Sequence, residues 1–189
     1  MNKAFIYQIE FFSFWHAGSG LSGSTYADSL VLKNGDNLPV IPGKTLKGLL
    51  REAAEAIHGL NDKLVSTEFI TDVFGETEKV NGTEKRKEGE AFFGNATLSE
   101  NLSKSLVEKK LTNSLYQVIS STQIDENGQA RDHSLRQLEV TVPLTLYGSI
   151  EHLQKEAYKE QMQQCFNWIK QMGVNRNRGL GKCKFSIFN

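Results

Sequence analysis

Three observations predict an α+β domain. Alternating apolar residues open and close the chain, at Phe5, Tyr7, Ile9 and Phe11 and again at Cys183, Phe185 and Ile187. Two longer stretches, Thr45 to His58 and Glu151 to Met172, repeat their apolar residues with a helical period instead. Between them, Glu126-Asn127-Gly128-Gln129 is the strongest hairpin-turn signal in the chain and lies between β-prone runs.

The first strand, Lys3 to Phe14, gives way to Gly18-Ser19-Gly20-Leu21-Ser22-Gly23-Ser24, too rich in glycine and serine to continue it. A loop is expected there, with His16 at its entrance. Pro39-Val40-Ile41-Pro42-Gly43 then forms an extended approach, Gly43 frees the backbone to turn, and Thr45 is placed to cap a helix. Its apolar face is Leu46, Leu49, Leu50, Ala53, Ala54 and Ile57. A polar stretch follows, densest in charge from Glu76 to Glu90, which marks an exposed insertion over about 60–90. Gly89 to Leu98 reads as a strand through Phe92 and Phe93, and Asn101 to Leu111 as a short helix. Tyr116 to Gln123 and Leu138 to Val142 flank the turn, so a hairpin projects over about 118–137. The second long helix carries Leu153, Ala157, Met162, Cys165, Phe166 and Ile169, with Trp168 bordering that face and Gly173 ending it. Strand, helix, strand, hairpin and strand, helix, strand is the order of a ferredoxin-like or RNA-recognition-motif-like core with insertions, and residues 1–189 are expected to form one domain.

Composition limits the chemistry. Formal charge is zero, so nucleic acid could be held only through local clusters. Two cysteines without a CxxC, and scattered histidines, point to neither a disulfide scaffold nor a zinc site. The polar residues Gln8 and Glu10 interrupt the apolar N-terminus, which therefore reads as a strand, not a leader peptide, and the expected setting is cytoplasmic, away from any membrane. The triplets at Asn81, Asn95 and Asn101 then carry no glycosylation meaning.

Two stretches carry functional promise. A helix start offers unpaired N–H groups and a partial positive charge, and Lys44, Lys47 and Arg51 lie within its first turns, which suits an anion such as a phosphate. Gly43-Lys44-Thr45 is nevertheless no P-loop ending, because Leu38 stands where that motif needs glycine and two prolines remove cradle N–H groups. The other stretch is Asn175-Arg176-Asn177-Arg178-Gly179-Leu180-Gly181-Lys182. From Gln161 onward there is no Asp or Glu, so a neutral chain has gathered positive charge at one end. Glycines among arginines let N–H groups and guanidinium forks approach one phosphate. The two stretches are expected to converge on a single ribose-phosphate strand. Arg131, His133 and Arg136 on the hairpin either line a partner surface or meet only solvent.

These motifs together resemble the RAMP superfamily, the repeat-associated proteins of CRISPR systems. They comprise the Gly-Ser-Gly loop, an aspartate, Val40-Ile41-Pro42-Gly43-Lys44-Thr45-Leu46-Lys47-Gly48-Leu49-Leu50-Arg51, Leu135-Arg136-Gln137-Leu138-Glu139 and Arg178-Gly179-Leu180-Gly181. More narrowly, the chain is similar to the backbone subunit of type III effector complexes. The resemblance implies stacking of copies along CRISPR RNA, alongside other CRISPR-associated subunits, with the hairpin as a thumb between guide and target RNA. Carried over, Lys44, Thr45, Lys47, Arg51, Arg176, Arg178, Gly179 and Gly181 would hold the guide. His16, Arg131, Arg136 and Lys182 complete the candidate RNA contacts.

Subunits of that kind which cut target RNA use an aspartate upstream of the Ile-Pro-Gly motif and a divalent metal. Asp28 matches, as catalytic residue and ligand of Mg²⁺; Asp36 lies too close to Pro39. Two departures stand out: the chain is short for a backbone subunit, and Lys44-Thr45 replaces the more usual pair of small residues. A non-catalytic structural RAMP subunit and a precursor CRISPR RNA-processing endonuclease using His16 or His58 as general base are the alternatives.

Overall fold

The alternation at the N-terminus becomes β1 (Phe5–Phe11), whose Phe5, Tyr7, Ile9 and Phe11 are buried. The computed structural model describes residues 4–20, 26–80, 83–153 and 155–188, with backbone alone for 77–80 and 83–86. Lys3 and the expected loop residues Leu21 to Ser24, like Asn81 and Gln154, lie outside the described residues.

β1 is central in an antiparallel four-stranded sheet ordered β4-β7-β1-β8, where β4 is Phe92–Phe93, β7 Thr145–Glu151 and β8 Cys183–Ile187. Helices α1 (Gly43–Leu60) and α4 (Glu156–Trp168) contribute to one core with it: Leu46, Leu50, Ala54 and Ile57 from α1, and Met162, Cys165 and Phe166 from α4. Phe166 stands 5.1 Å from the ring of Tyr7 and 5.4 Å from that of Phe185. Full burial of each such side chain is worth about 1.5–3 kcal/mol.

Several expectations change. Thr45 does not cap α1: the helix begins at Gly43, whose N–H donates to Asn95 Oδ1 at 2.9 Å. Gly43 is needed for closeness, since a Cβ there would lie 1.9 Å from the Phe93 carbonyl oxygen. The expected strand from Gly89 to Leu98 shortens to β4, with isolated bridges at Ala96 and Thr97. The region 60–90 contains a helix, α2 (Thr67–Phe74), that buries Phe69, Val73 and Phe74, and then a hairpin of β2 (Gly75–Val80) and β3 (Thr83–Glu88). β7 was not anticipated, and α4 starts five residues later than expected, leaving Ala157 exposed. The short helix α3 (Glu100–Glu108) is present, but Leu102 and Leu111 stay exposed.

The Asn127-Gly128 turn forms as expected. Gly128 has φ of +78°, and Asp125 Oδ1 accepts from the N–H groups of Asn127 and Gln129. It closes a hairpin of β5 (Tyr116–Ser121) and β6 (Arg136–Thr141) that forms its own two-stranded sheet.

Candidate functional site

The arginine loop stands on a narrow neck. After α4, Met172 N–H donates to Gly181 O (3.0 Å) and Cys183 N–H to Lys170 O (2.9 Å), so the chain leaves and returns side by side. Gly173 (φ +90°) passes so close to His16 that a Cβ would sit 2.3 Å from its carbonyl oxygen. Gly181 (φ +71°) is tighter: a Cβ would meet Met172 O at 1.9 Å, and its N–H already donates to Phe14 O. Gly181 therefore builds the neck, with both backbone polar groups used within the protein. Between them Asn175 (φ 57°) opens one 3-10 turn, Arg176–Arg178, closed by Gly179 (φ +85°). Both arginines are exposed on it, as is Lys182 at the start of the returning strand.

That loop forms one wall of a cleft of about 800 Å³. Leu49, Glu52 and Ala53 of α1, Trp168 of α4 and Arg136 line the cleft as well. A second cleft of about 530 Å³ follows the β5–β6 hairpin past Arg131 and His133. Arg136 and Arg178 line both, so the two clefts make one groove. Arg131, Arg136, Lys170, Arg176 and Arg178 face only Glu52 and Asp132 along it. None of the four arginines makes an ion pair among the described residues. Uncompensated guanidinium groups at a concave surface attract anions and hold them in bidentate geometry.

The cations of the α1 segment lie elsewhere. Lys47 and Arg51 line a third cleft, about 680 Å³, against the β2–β3 hairpin, where Lys87 joins them and Glu76, Glu88 and Glu90 balance them. Arg51 Nε is 2.7 Å from Glu55 Oε1, and Lys47 Nζ sits 5.9 Å over the Phe93 ring. At 100° per residue, Lys47 and Leu49 point about 160° apart around α1. The expected convergence of the helix start with the arginine loop is thus corrected: they flank α1 on two sides. The helix start is partly taken up within the chain: Asn95 Oδ1 accepts the N–H of Gly43, and Pro42 O those of Thr45 and Leu46. Lys44 and Thr45 are exposed on the first turn and line none of the three clefts.

Asp28 lies beside the hairpin root. Its N–H donates to Gln137 O (2.8 Å), and its Oδ2 accepts the Gln137 N–H (2.7 Å), next to Arg136 in the chain. His16, expected to touch RNA, is instead 1% exposed, with Nδ1 2.7 Å from Glu139 O and Nε2 3.2 Å from Ser29 Oγ. A ring so enclosed braces the loop against the hairpin and cannot reach a strand in solvent. His58 is similarly engaged, with Val65 O and Thr67 Oγ1. Among the described residues no group of three or more His, Cys, Asp or Glu could hold a metal. A lone carboxylate suits Mg²⁺ only where substrate phosphates supply further oxygens.

Glu139 is the residue that sequence reasoning missed. It is 1% exposed, accepts the Val31 N–H at 2.9 Å and pairs with Lys33 Nζ at 2.8 Å. Lys33 in turn sits 3.8 Å over the Tyr116 ring, and burial with the nearby Glu139 charge pushes the Tyr116 hydroxyl pKa up. In the sequence it was only the last residue of the Leu135–Glu139 motif, a carboxylate between Leu138 and Val140 with no role attached.

No curated protein matches this sequence. The solved structures that share its fold include two from type III-B complexes. A chain of the type III-B Cmr-beta complex bound to cognate target RNA aligns over 98% of this chain and 97% of its own, with TM-score 0.68 and 10% identity. A chain of the same type of complex in the apo state aligns over the same shares, with TM-score 0.72 and 12% identity. The RAMP superfamily profile matches residues 8–184, from within β1 to within β8, taking in α1, the β5–β6 hairpin and the arginine loop. With that span matched and the same motifs standing in the folded chain, this protein belongs to the RAMP superfamily.

Proposed function

We propose that the chain is a CRISPR RNA-binding subunit of a type III-like RNA-guided effector complex, assembled with further copies of itself and other CRISPR-associated subunits. The observation that carries the proposal is the groove through Arg136 and Arg178, where five basic residues outnumber two acidic ones and the arginines form no ion pair among the described residues. Guanidinium forks over a glycine-hinged turn suit a phosphodiester backbone and carry no base information. In this reading the core is ferredoxin-like, which the sheet order β4-β7-β1-β8 supports. The β5–β6 hairpin acts as the thumb between guide and target RNA. The chain works in the cytoplasm, and no described helix is long and apolar enough to cross a membrane.

Target cleavage is the finer part of the proposal. Asp28 stands where the hairpin root meets the groove's Arg136, so a nucleotide splayed by the thumb could bring its 2′-hydroxyl to the carboxylate oxygen not bonded to Gln137. Asp28 would take that proton and hold the nucleotide in line as the 2′-oxygen bonds to the adjacent phosphorus and the P–O5′ bond breaks, leaving a 2′,3′-cyclic phosphate and a 5′-hydroxyl protonated from water, while Arg136 neutralises phosphate charge. Mg²⁺, bound jointly by Asp28 and RNA phosphates, would add charge neutralisation when present. One observation favours a second reading, a purely structural subunit: Asp28 already staples the Ala27–Ser29 segment to β6. The engaged histidines leave the RNA-processing alternative without a general base among the residues expected to supply one.

The assembled complex should be mixed with complementary RNA and Mg²⁺, comparing wild type with Asp28→Asn, which keeps an acceptor for Gln137. Regularly spaced cuts that vanish in the variant support catalysis by Asp28. Intact target in both supports the structural subunit, and cutting of precursor guide by the lone chain overturns both.

A further inference from the structure

We infer that Trp168 is a base-stacking platform, taking the face of an unstacked nucleobase from the strand whose phosphates Arg176 and Arg178 hold. This rests on the RNA-binding reading above and adds the chemical form of the ligand: a single strand with an available base. The chain has two tryptophans, in opposite states. Trp15 is 1% exposed, stacked 4.4 Å from the Phe11 ring, with Nε1 donating to Val142 O. Trp168 is 47% exposed although Cys165, Phe166 and Ile169 around it on α4 and its end are buried. An indole is the largest apolar side chain, and here it meets solvent at the wall of the arginine cleft.

The cleft's lining is mixed: apolar Leu49, Ala53 and Trp168 share it with the cationic Arg176 and Arg178. A nucleotide is mixed in the same sense, a flat apolar base on a charged ribose phosphate, and single-strand grooves pair stacking aromatics with backbone-tracking cations. A duplex stacks its bases on one another and leaves few faces to offer. The about 800 Å³ of the cleft falls within the range of sites that enclose a small ligand.

The test uses the full chain, with a single-stranded RNA oligomer and an inorganic polyphosphate of equal length as probes. Because Trp15 is sealed, acrylamide quenching of indole fluorescence reports Trp168. Saturating RNA should shield Trp168 from acrylamide, whereas polyphosphate should bind and leave it accessible. Trp168→Ala should weaken RNA about 5- to 100-fold with an unchanged salt slope and leave polyphosphate affinity alone, and Trp168→Phe should restore most of the loss. RNA that binds without shielding Trp168, or an alanine variant with undiminished affinity, overturns the stacking role while the RNA reading stands. If neither probe binds the wild-type chain saturably, both fall together.

Discussion

Both flanks of α1 carry cations, three on one and five on the other, and they differ in what those cations face. On the β2–β3 side Lys47, Arg51 and Lys87 meet Glu76, Glu88 and Glu90, and Arg51 is further held by Glu55. On the other side five basic residues meet two acidic ones, and the arginines are unpaired among the described residues. A charge with a partner costs something to release before it can serve a ligand; an unpaired one does not. Counting lysines and arginines along α1 therefore misleads, and the groove becomes visible only when the counter-charges are counted too.

The largest expected effect comes from beneath the groove. Glu139→Ala removes the partner of Lys33 and of the Val31 N–H at the hairpin root that carries Arg136. Leaving such a pair half made costs about 3 kcal/mol. Chemical denaturation should show that loss, with RNA affinity falling as the root loosens, whereas Glu88→Ala on the balanced flank should stay within about 0.5 kcal/mol. Equal stabilities would mean that Glu139 does not hold the root.

Next comes the direct contrast. Arg176→Ala with Arg178→Ala should lower RNA affinity about 100-fold and flatten the salt dependence by about 1.4 in slope, two charge-assisted contacts being lost. Lys47→Ala with Arg51→Ala should cost less than about threefold, since those side chains are already engaged. Anisotropy titrations at several salt concentrations would check both. Similar losses from the two pairs would return the helix flank to the binding surface.

Much of this was legible in the sequence because the signals are local. Alternation fixed β1, periodicity fixed α1, and Asn127-Gly128 closed the hairpin where expected. What escaped depends on distant partners. The cap of α1 comes from Asn95, far along the chain, which no pattern around Thr45 reveals. β7 was hidden by Pro143 before it and Gly148 within it, and Gly148 is glycine because the Tyr7 hydroxyl would lie 2.5 Å from a Cβ. α2 was masked by the charged stretch after it, although Phe69, Val73 and Phe74 belong to the core. The arginine loop was read as basic and glycine-rich, which is a matter of composition, but its relation to Lys47 and Arg51 needed the rotation of α1.

A smaller effect sharpens the balanced flank. Asp72 accepts from the Tyr158 hydroxyl at 2.7 Å and from Lys155 Nζ at 3.4 Å, and Lys87 lies 3.9 Å away. The Tyr158 hydrogen bond first, then Lys155, hold its pKa below the ordinary aspartate value, against the opposing pull of desolvation. A depressed carboxylate contributes stability that is complete above its unfolded pKa and is lost as pH falls through the folded one. Asp72→Asn should therefore cost under about 1 kcal/mol at neutral pH, a gap that closes below about pH 4. Acid titration of the melting temperature would show it, and RNA affinity should not move. A change in affinity would tie the two flanks together.

The smallest expected change tests the groove's own inconsistency. Glu52 lines the arginine cleft together with Leu49 and Trp168. A carboxylate there repels phosphate, yet next to a stacked base it can accept from base N–H or ribose hydroxyl groups. Repulsion alone predicts that Glu52→Gln tightens binding of RNA and of polyphosphate alike, by about twofold for one screened charge. Acceptance from the nucleoside predicts that polyphosphate gains while RNA does not, because glutamine keeps one acceptor and loses the charge assistance. Parallel titrations of both ligands separate the two, and tighter RNA binding without a matching gain for polyphosphate would contradict both and remove Glu52 from the phosphate path.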